Sequence, residues 1–302
     1  MNSKKIVVIG SSNTDMVIKS EQLPEPGETI IGDTFMMNPG GKGANQAVAA
    51  ARMGGEVTFI AKTGNDIFGQ QSIIQYSIEG IRTDYIFSDP ENPSGVALIA
   101  VDANGENSIL VASGANATLS IDDIETAKNE IETAGLLLMQ LEIPMETVEY
   151  AAEIAFSKGI KVILNPAPAQ LLSNRLLQHL YIITPNKTEA ERLTDIKVID
   201  WESAQLAADC LSEKGVDIVI ITLGAEGAFI KEGDEYHRIA SEKVKAVDTT
   251  AAGDTFNGSL CVGLSEGLSV VDAVKMACKA SAIAVTRMGA QSSIPYRKEL
   301  ES

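Results

Sequence analysis

Short runs of β-branched and aliphatic residues, each followed by a helical pattern, recur along most of the chain. No other feature constrains the fold as strongly. Lys5 to Ile9, Val57 to Ala61, Gly135 to Leu141, Lys161 to Asn165, Tyr181 to Thr184 and Asp217 to Thr222 read as strands. Strands separated by helices build a mainly parallel sheet with helices on both faces, because a parallel connection has to cross back over the sheet. The expected fold class is therefore α/β. Ala44, Ala47, Val48 and Ala51 stand at i, i+3, i+4 and i+7 and predict a helix with a narrow stripe of small residues that can pack close to the sheet. Ser120 with Asp123, and Ser269 with Asp272, have the spacing of capping boxes, with Asp in place of the usual Glu.

Two stretches break the alternation. Asp15 to Asn38 is punctuated by Pro and Gly, and from Ser94 to Ala112 two apolar runs flank Ala103-Asn104-Gly105, a strong hairpin signal. These strands form either a small separate sheet, of the kind used as a lid or subunit contact, or an ordinary edge hairpin. Length allows one large α/β domain or two smaller ones.

Composition removes several function classes. Lys and Arg number 24 against 41 Asp and Glu, a net charge of −17. Such a surface repels nucleic acid and anionic membranes. Apolar runs are too short to cross a bilayer, and Met1 to Lys5 lead directly into a strand, with no secretory h-region, so the expected compartment is the cytoplasm. Hydrophobic residues make up 45% of the chain, enough for a large core, which sets disorder aside. The cysteines, Cys210, Cys261 and Cys278, lack metal-site spacing. His179 and His237 are isolated and read as surface residues, so acid–base chemistry falls to carboxylates.

Two glycine clusters carry the chemistry. Pro39-Gly40-Gly41-Lys42-Gly43-Ala44-Asn45 opens the small-residue helix, where backbone can approach a ligand closely and free N–H groups meet oxygen-rich or anionic groups. Alone it is equally a tight turn. It is not a Walker A loop, since Met36 stands where the first glycine belongs and Gly43 follows Lys42. In Asp248-Thr249-Thr250-Ala251-Ala252-Gly253-Asp254, the Ala251 to Gly253 amides would sit at a helix start and stabilise charge on a phosphoryl group. Asp254 then either complements the helix dipole or serves as general base for a hydroxyl nucleophile.

Smaller features lie at predicted strand ends, where parallel sheets bind ligands: Asn13-Thr14-Asp15, Gln140-Leu141-Glu142, and the Gly-rich turn Thr222-Leu223-Gly224-Ala225-Glu226-Gly227. That turn fits a nucleotide or a plain hairpin. Asn186 and Glu189 are oxygen ligands three apart, suited to a partly hydrated Mg²⁺ but equally to a helix cap. The first turn, Gly10-Ser11-Ser12-Asn13, lacks the dinucleotide fingerprint, and protein-kinase motifs are absent.

Taken together, these motifs resemble the ribokinase family of sugar kinases within the larger phosphofructokinase B group. The first cluster, with Asn45, Gly54 and Gly64 at the expected intervals, matches the group's amino-terminal pattern, and Asp248 to Asp254 its carboxy-terminal one. Asn13 to Asp15, Gly40 to Asn45, Met139 to Pro144, Asn165 to Ala169 and Ala284 to Pro295 look specifically like ribokinase. The resemblance covers essentially the whole chain and implies a single domain, 1–302. Its expected form is a three-layer α/β/α sandwich with a β lid from about 13–40 and 94–115 that also pairs subunits into a homodimer.

By this resemblance, Asn13, Asp15, Gly41, Lys42, Gly43, Ala44, Asn45 and Glu142 would hold D-ribose, together with Asp254. Asn186, Thr222, Leu223, Gly224, Ala225, Glu226, Gly227, Gly253, Asp254 and Cys278 would hold ATP; many relatives carry Asn or His at the position of Cys278. Asn186 and Glu189 would act on Mg²⁺ through water. K⁺ would be held by Asp248, Thr250, Ala284, Arg287, Gly289 and Ser293, several through backbone carbonyls. Asp254 would be the base and Ala252 and Gly253 the anion hole for transfer of the ATP γ-phosphoryl group to the 5-hydroxyl of ribose. Competing readings are a kinase for another furanose, such as 2-deoxyribose, or for a nucleoside, and a sugar-binding sensor without catalysis. Asn13 and Asp15 fit ribose; Asp254, Gly253 and the Asn186/Glu189 pair speak against a sensor, which needs neither an anion hole nor magnesium ligands.

Overall fold

A computed structural model describes residues 4–301. The chain runs β1 (Lys5–Ile9), β2 (Asn13–Lys19), β3 (Thr34–Gly40), α1 (Lys42–Arg52), β4 (Glu56–Gly64), α2 (Ile67–Ile78), β5 (Arg82–Asp89), β6 (Gly95–Val101) and β7 (Asn107–Ala112). It continues through α3 (Ile121–Glu132), β8 (Leu136–Met139), α4 (Met145–Ser157), β9 (Lys161–Leu164), α5 (Asn174–Gln178), β10 (Ile182–Ile183), α6 (Lys187–Thr194), α7 (Trp201–Glu213) and β11 (Ile218–Thr222). Last come β12 (Ala228–Glu232), β13 (Glu235–Ile239), α8 (Ala252–Ser265) and α9 (Val270–Ala284).

One sheet has nine strands in the order β13-β12-β11-β10-β9-β8-β1-β4-β5, parallel from β11 to β5 and antiparallel at the β12–β13 edge. Its central strands read as continuous apolar runs because both faces are covered. In β1, Ile6 and Val8 enter the core under α1, α8 and α9, while Val7 and Ile9 enter the opposite core under α3, α4 and α7. Each such side chain contributes roughly 1.5–3 kcal/mol on burial. The three layers agree with the expected sandwich.

The irregular segments form a second, four-stranded sheet, β3-β2-β6-β7. The Asn104-Gly105 turn joins β6 to β7, with Asp102 Oδ1 accepting from Asn104 N and Glu106 N. The edge-hairpin reading is excluded: β6 pairs β2 of the small sheet, not the large one.

Several details differ from the sequence pattern. The strand expected over 135–141 ends at Met139, because Gln140 and Leu141 leave the sheet and Leu141 N donates to Ala167 O. β5, β12 and β13 carry no strong alternation and were not predicted. The predicted stripe on α1 is too narrow: every residue from Gly43 to Ala50 is buried, since α1 is wedged between the sheet and α8. Gly258 makes this crossing possible, for a Cβ there would lie 2.6 Å from Ala49 Cβ and Gln46 O. Ser120 and Asp123 form a reciprocal capping box, whereas Ser269 caps α9 in one direction, accepting from Asp272 N. The cysteines are free thiols. His179 and His237 are half-buried: His179 stacks on Phe156 and His237 lies in the outer strand β13. No helix among the described residues is long and apolar enough to cross a membrane.

Candidate active site

The carboxyl ends of the parallel strands deliver Ser11, Glu142, Asn165, Thr184, Asn186 and Thr222 to one edge of the sheet, the expected place for ligands in an open α/β fold. The amino ends of α1 and α8 point into the same space. At α8 the N-cap, Ala251, is left-handed (φ 58°), and no side chain caps the helix. Ala252 N donates to Thr249 O at 3.2 Å, whereas the amides of Ala251, Gly253 and Asp254 donate to no described residue. Of the two amides expected to form an anion hole, Gly253 N is thus free to meet a ligand, while Ala252 N is engaged in the turn.

Asp254 is buried, and each carboxylate oxygen accepts one hydrogen bond: Oδ2 from Asn45 Nδ2 and Oδ1 from Gln46 Nε2, both at 2.9 Å. Burial pushes its carboxyl above the usual range, while Lys42, Gln46 and Asn45 pull it back. Such a carboxylate is desolvated and fixed in direction, as a base acting on a positioned hydroxyl must be. Asn45 Oδ1 is buried without a partner. It is an acceptor left over for a ligand.

Lys42 faces Asp254, Glu142, Glu189 and Asp15. Its burial disfavours the ammonium, but these four carboxylates raise its pKa overall, and its Nζ hydrogen-bonds no described residue. Glu142 Oε2 is oriented by Ser11 Oγ at 2.5 Å and Lys42 N at 3.0 Å. Asp15 projects from the same face of β2 as Asn13, over Gly40, where a Cβ would overlap its carboxylate. Burial, then the charges of Glu142 and Asp254, raise its pKa to about 6 against the pull of Lys42. Gly41, at φ 89°, turns β3 into α1 with a backbone that other residues rarely adopt.

A cavity of about 440 Å³ is lined by Thr222, Leu223, Gly224, Gly227, Gly253 and Cys278. A smaller one of about 200 Å³, holding Lys42, Glu189 and Asp254, shares Asn186, Thr222, Ala252 and Gly253 with it. The Gly-rich turn is a hairpin joining β11 to antiparallel β12, and Thr222, Leu223, Gly224 and Gly227 of it also line the cavity. Ala225 and Glu226 do not line it; Glu226 is exposed and pairs with Lys187 Nζ at 2.5 Å. Burial raises the Cys278 thiol to about 11, so it meets a ligand as a neutral, weakly polar surface.

Asn186 and Glu189 form a reciprocal capping box on α6, with Glu189 Oε2 accepting from Asn186 N at 2.8 Å. The cap reading is correct for their mutual bonds, yet both also line the smaller cavity, where burial raises the pKa of Glu189. The described residues hold no cluster of three His, Cys, Asp or Glu side chains fit to cage a metal. One carboxylate and one amide at a cavity wall suit a largely hydrated Mg²⁺ carried in with phosphates. Elsewhere, Asp248 Oδ1 accepts from Thr250 N and Oγ1, and Oδ2 from Gly289 N at 2.8 Å. Burial works against the charge, but these bonds hold its carboxyl below the usual range. Asp248 thus brings Thr250 and Gly289 together, and Ala284 and Arg287 follow on from α9. The Arg287 guanidinium is engaged by Glu299 and has no acceptor, so Arg287 could contribute only through its backbone, whereas Ser293 Oγ donates to Ala290 O and keeps its lone pairs for a cation.

Gln46, Ser11, Asn165 and Asn116 were missed. Gln46 offered one signal: a long polar residue inside a helix of small apolar ones has to find buried partners.

A family model described as the pfkB family carbohydrate kinase matches residues 3–297. The chain belongs to the pfkB family of carbohydrate kinases. Among relatives of this carbohydrate kinase is the ribokinase of Haemophilus influenzae, 47% identical over 98% of the chain and 97% of the relative. The deoxyribokinase of Salmonella typhi is 40% identical over 96% and 95%. The solved structure of Arabidopsis thaliana ribokinase complexed with ribose and ATP superposes with a TM-score of 0.91 at 32% identity, covering 99% of this chain and 98% of that one.

Proposed function

We propose that this carbohydrate kinase transfers the γ-phosphoryl group of ATP to the 5-hydroxyl of D-ribose, giving D-ribose 5-phosphate and ADP. One observation carries the reading: buried Asp254 stands in the first turn of α8, in the wall of a small cavity with Lys42 and Glu189 that adjoins the larger cavity edged by the Gly-rich turn, and the carboxylates of Glu142 and Asp15 lie near enough to interact with it by charge. A buried base next to uncommitted helix-start amides, beside two adjoining cavities, suits in-line phosphoryl transfer between two bound molecules. The ribokinases of Haemophilus influenzae and Arabidopsis thaliana support the choice of sugar.

Ribose would lie against Asn13, Asp15, Asn45, Glu142 and the Gly41–Ala44 backbone. Asp254 would take the proton of the attacking hydroxyl while the Gly253 and Asp254 amides and the free Lys42 ammonium face charge on the transferring group. ATP would occupy the larger cavity. Mg²⁺ would neutralise phosphate charge, with Asn186 and Glu189 on its waters; K⁺ would be held by Asp248 and the carbonyls of Thr250, Ala284, Arg287, Gly289 and Ser293. On the same reading the enzyme works in the cytoplasm, where ATP is supplied. The β2–β3–β6–β7 lid, with Phe35 58%, Leu98 50% and Leu110 71% exposed, would pair two copies.

Identity of 40% to a deoxyribokinase favours 2-deoxyribose as the second reading. Coupled ADP release with a panel of pentoses, hexoses and nucleosides, in Mg-ATP and K⁺, tests both. Ribose should have the highest kcat/KM; a preference for deoxyribose selects the second reading, and saturable ribose binding with no ADP release means a sensor.

A further inference from the structure

Asn116 lies in a short 3₁₀ turn just after β7, the last strand of the lid, and is 1% exposed. Its side chain spans the point where the lid meets the large sheet. Oδ1 accepts from Ser12 N at 2.8 Å, and Nδ2 donates to Ser12 O at 3.1 Å and to Asn13 Oδ1 at 2.7 Å.

These bonds leave no freedom in which way either amide faces. Ser12 N–H is only a donor, so the Asn116 atom facing it has to be the oxygen. Its NH₂ group is then turned toward Asn13, and an NH₂ group only donates, so the Asn13 atom facing it is also oxygen. Asn13 Nδ2 is forced to the remaining side. No described residue takes its hydrogens, although Asn13 is only 5% exposed. Gly95 marks the contact independently: it pairs with Asn13 across the small sheet, and a Cβ there would overlap both Asn116 Nδ2 and Asn13 Oδ1. The sequence at position 95 thus leaves the space this hydrogen bond occupies.

Asp15, two residues along the same face of β2, offers only acceptors when ionised. A fixed donor on Asn13 beside a fixed acceptor on Asp15 reads a sugar hydroxyl pair with defined polarity, one oxygen accepting and one donating. A buried polar site of defined polarity rejects a ligand that lacks the matching group more strongly than an adaptable one does.

We propose that Asn116 is a positioning residue that holds the Asn13 amide with its donor toward the sugar, and so sets which hydroxyl contact the site demands. The proposal rests on the reading of Asn13 as a sugar ligand.

Asn116→Asp keeps the size and the acceptor for Ser12 N but replaces the donor with an acceptor, so Asn13 has to turn its NH₂ inward and present oxygen to the sugar. The expected result is a ribose KM about tenfold higher, corresponding to loss of one good hydrogen bond, with the KM for ATP unchanged. Selectivity for ribose over one of its single-deoxy analogues should narrow by the same factor. In an Asn13→Ala background, Asn116→Asp should add less than about twofold, because its route of action is gone. If Asn116→Asp raises the ribose KM equally in both backgrounds, or leaves it unchanged where Asn13→Ala raises it, the proposal is overturned. If Asn13→Ala itself leaves ribose binding intact, the sugar-site reading of Asn13 is the part that fails, and the proposal falls with it. Should Asn116→Asp not fold, Asn116→Ala removes the donor without adding charge and should show the same dependence on Asn13 with a smaller rise.

Discussion

Gln46 Nε2 lies 2.9 Å from Asp254 Oδ1, joining the second turn of α1 to the first turn of α8 across 208 residues of sequence. The same amide group donates to Asn165 Oδ1 at 3.0 Å, and Gln46 Oε1 accepts from Gln140 Nε2 at 2.7 Å. Two strand ends and two helices are thereby tied to the carboxylate. A shared buried network of this kind holds direction as well as charge.

Gln46→Leu should therefore act on the base more than on the fold. Gln46 lowers the pKa of Asp254 against the effect of burial, so removing it raises that pKa further and protonates the base at a higher pH. The acid limb of the kcat profile should move to higher pH, with kcat at neutrality down about tenfold or more, since one hydrogen bond to a charged group is worth roughly 1.5–3 kcal/mol. A pH–rate series for both proteins checks this; an unmoved acid limb would show that Gln46 only packs.

Asp254→Asn keeps the shape and removes the base. A positioned general base contributes about 10²- to 10⁴-fold. Turnover should fall by that factor while ribose and ATP still bind, as single-turnover ADP release and calorimetric binding would report. Near-normal turnover would take the role away from Asp254.

The parts legible in the sequence are those that local pattern determines. β1 announced itself because a strand buried on both faces must be apolar throughout, and Asp254 because glycine and alanine before an acid at a helix start have few other uses. Gln46 and Asn116 were hidden for the opposite reason. Their partners, Asp254 and Asn13, lie 208 and 103 residues away, so even where small apolar neighbours mark Gln46 as buried and polar, nothing nearby in the sequence names what it bonds. β10, by contrast, is legible as the strand expected over Tyr181 to Thr184, though it pairs β9 and β11 only over Ile182–Ile183.

Asp15 links binding to pH. Its pKa, raised to about 6 mainly by burial, exceeds the unfolded value near 3.9. The native carboxyl therefore holds its proton over a range where the unfolded one has lost it, and stability from this group is present at low pH and lost as pH rises from about 4 to 6. Ionised Asp15 in the empty enzyme costs on the order of 2–3 kcal/mol above pH 6. Asp15→Asn should raise Tm without ligand at pH 8, and the gain should vanish near pH 4. In the native enzyme the ribose KM should climb as pH falls below about 6, where the acceptor is lost, with the KM for ATP flat. A ribose KM independent of pH between 5 and 8 would detach Asp15 from the sugar.

The lid gives the last prediction. In its register Ile18 pairs Phe35, and Met16 lies between Met37 and Leu98, with Leu110 opposite Leu98, so one face carries these apolar side chains together. Phe35, Leu98 and Leu110 remain half or more exposed in a single chain, which is unusual for a lone soluble surface and fits a second copy as the cover. Phe35→Asp puts a charge on that face, on its edge strand β3, without touching the residues around Asp254. If the lid pairs two copies, sedimentation should show a dimer for the native chain and a weaker, concentration-dependent association for the variant, since a buried unpaired charge costs several kcal/mol. Identical sedimentation of the two proteins would place the subunit contact elsewhere.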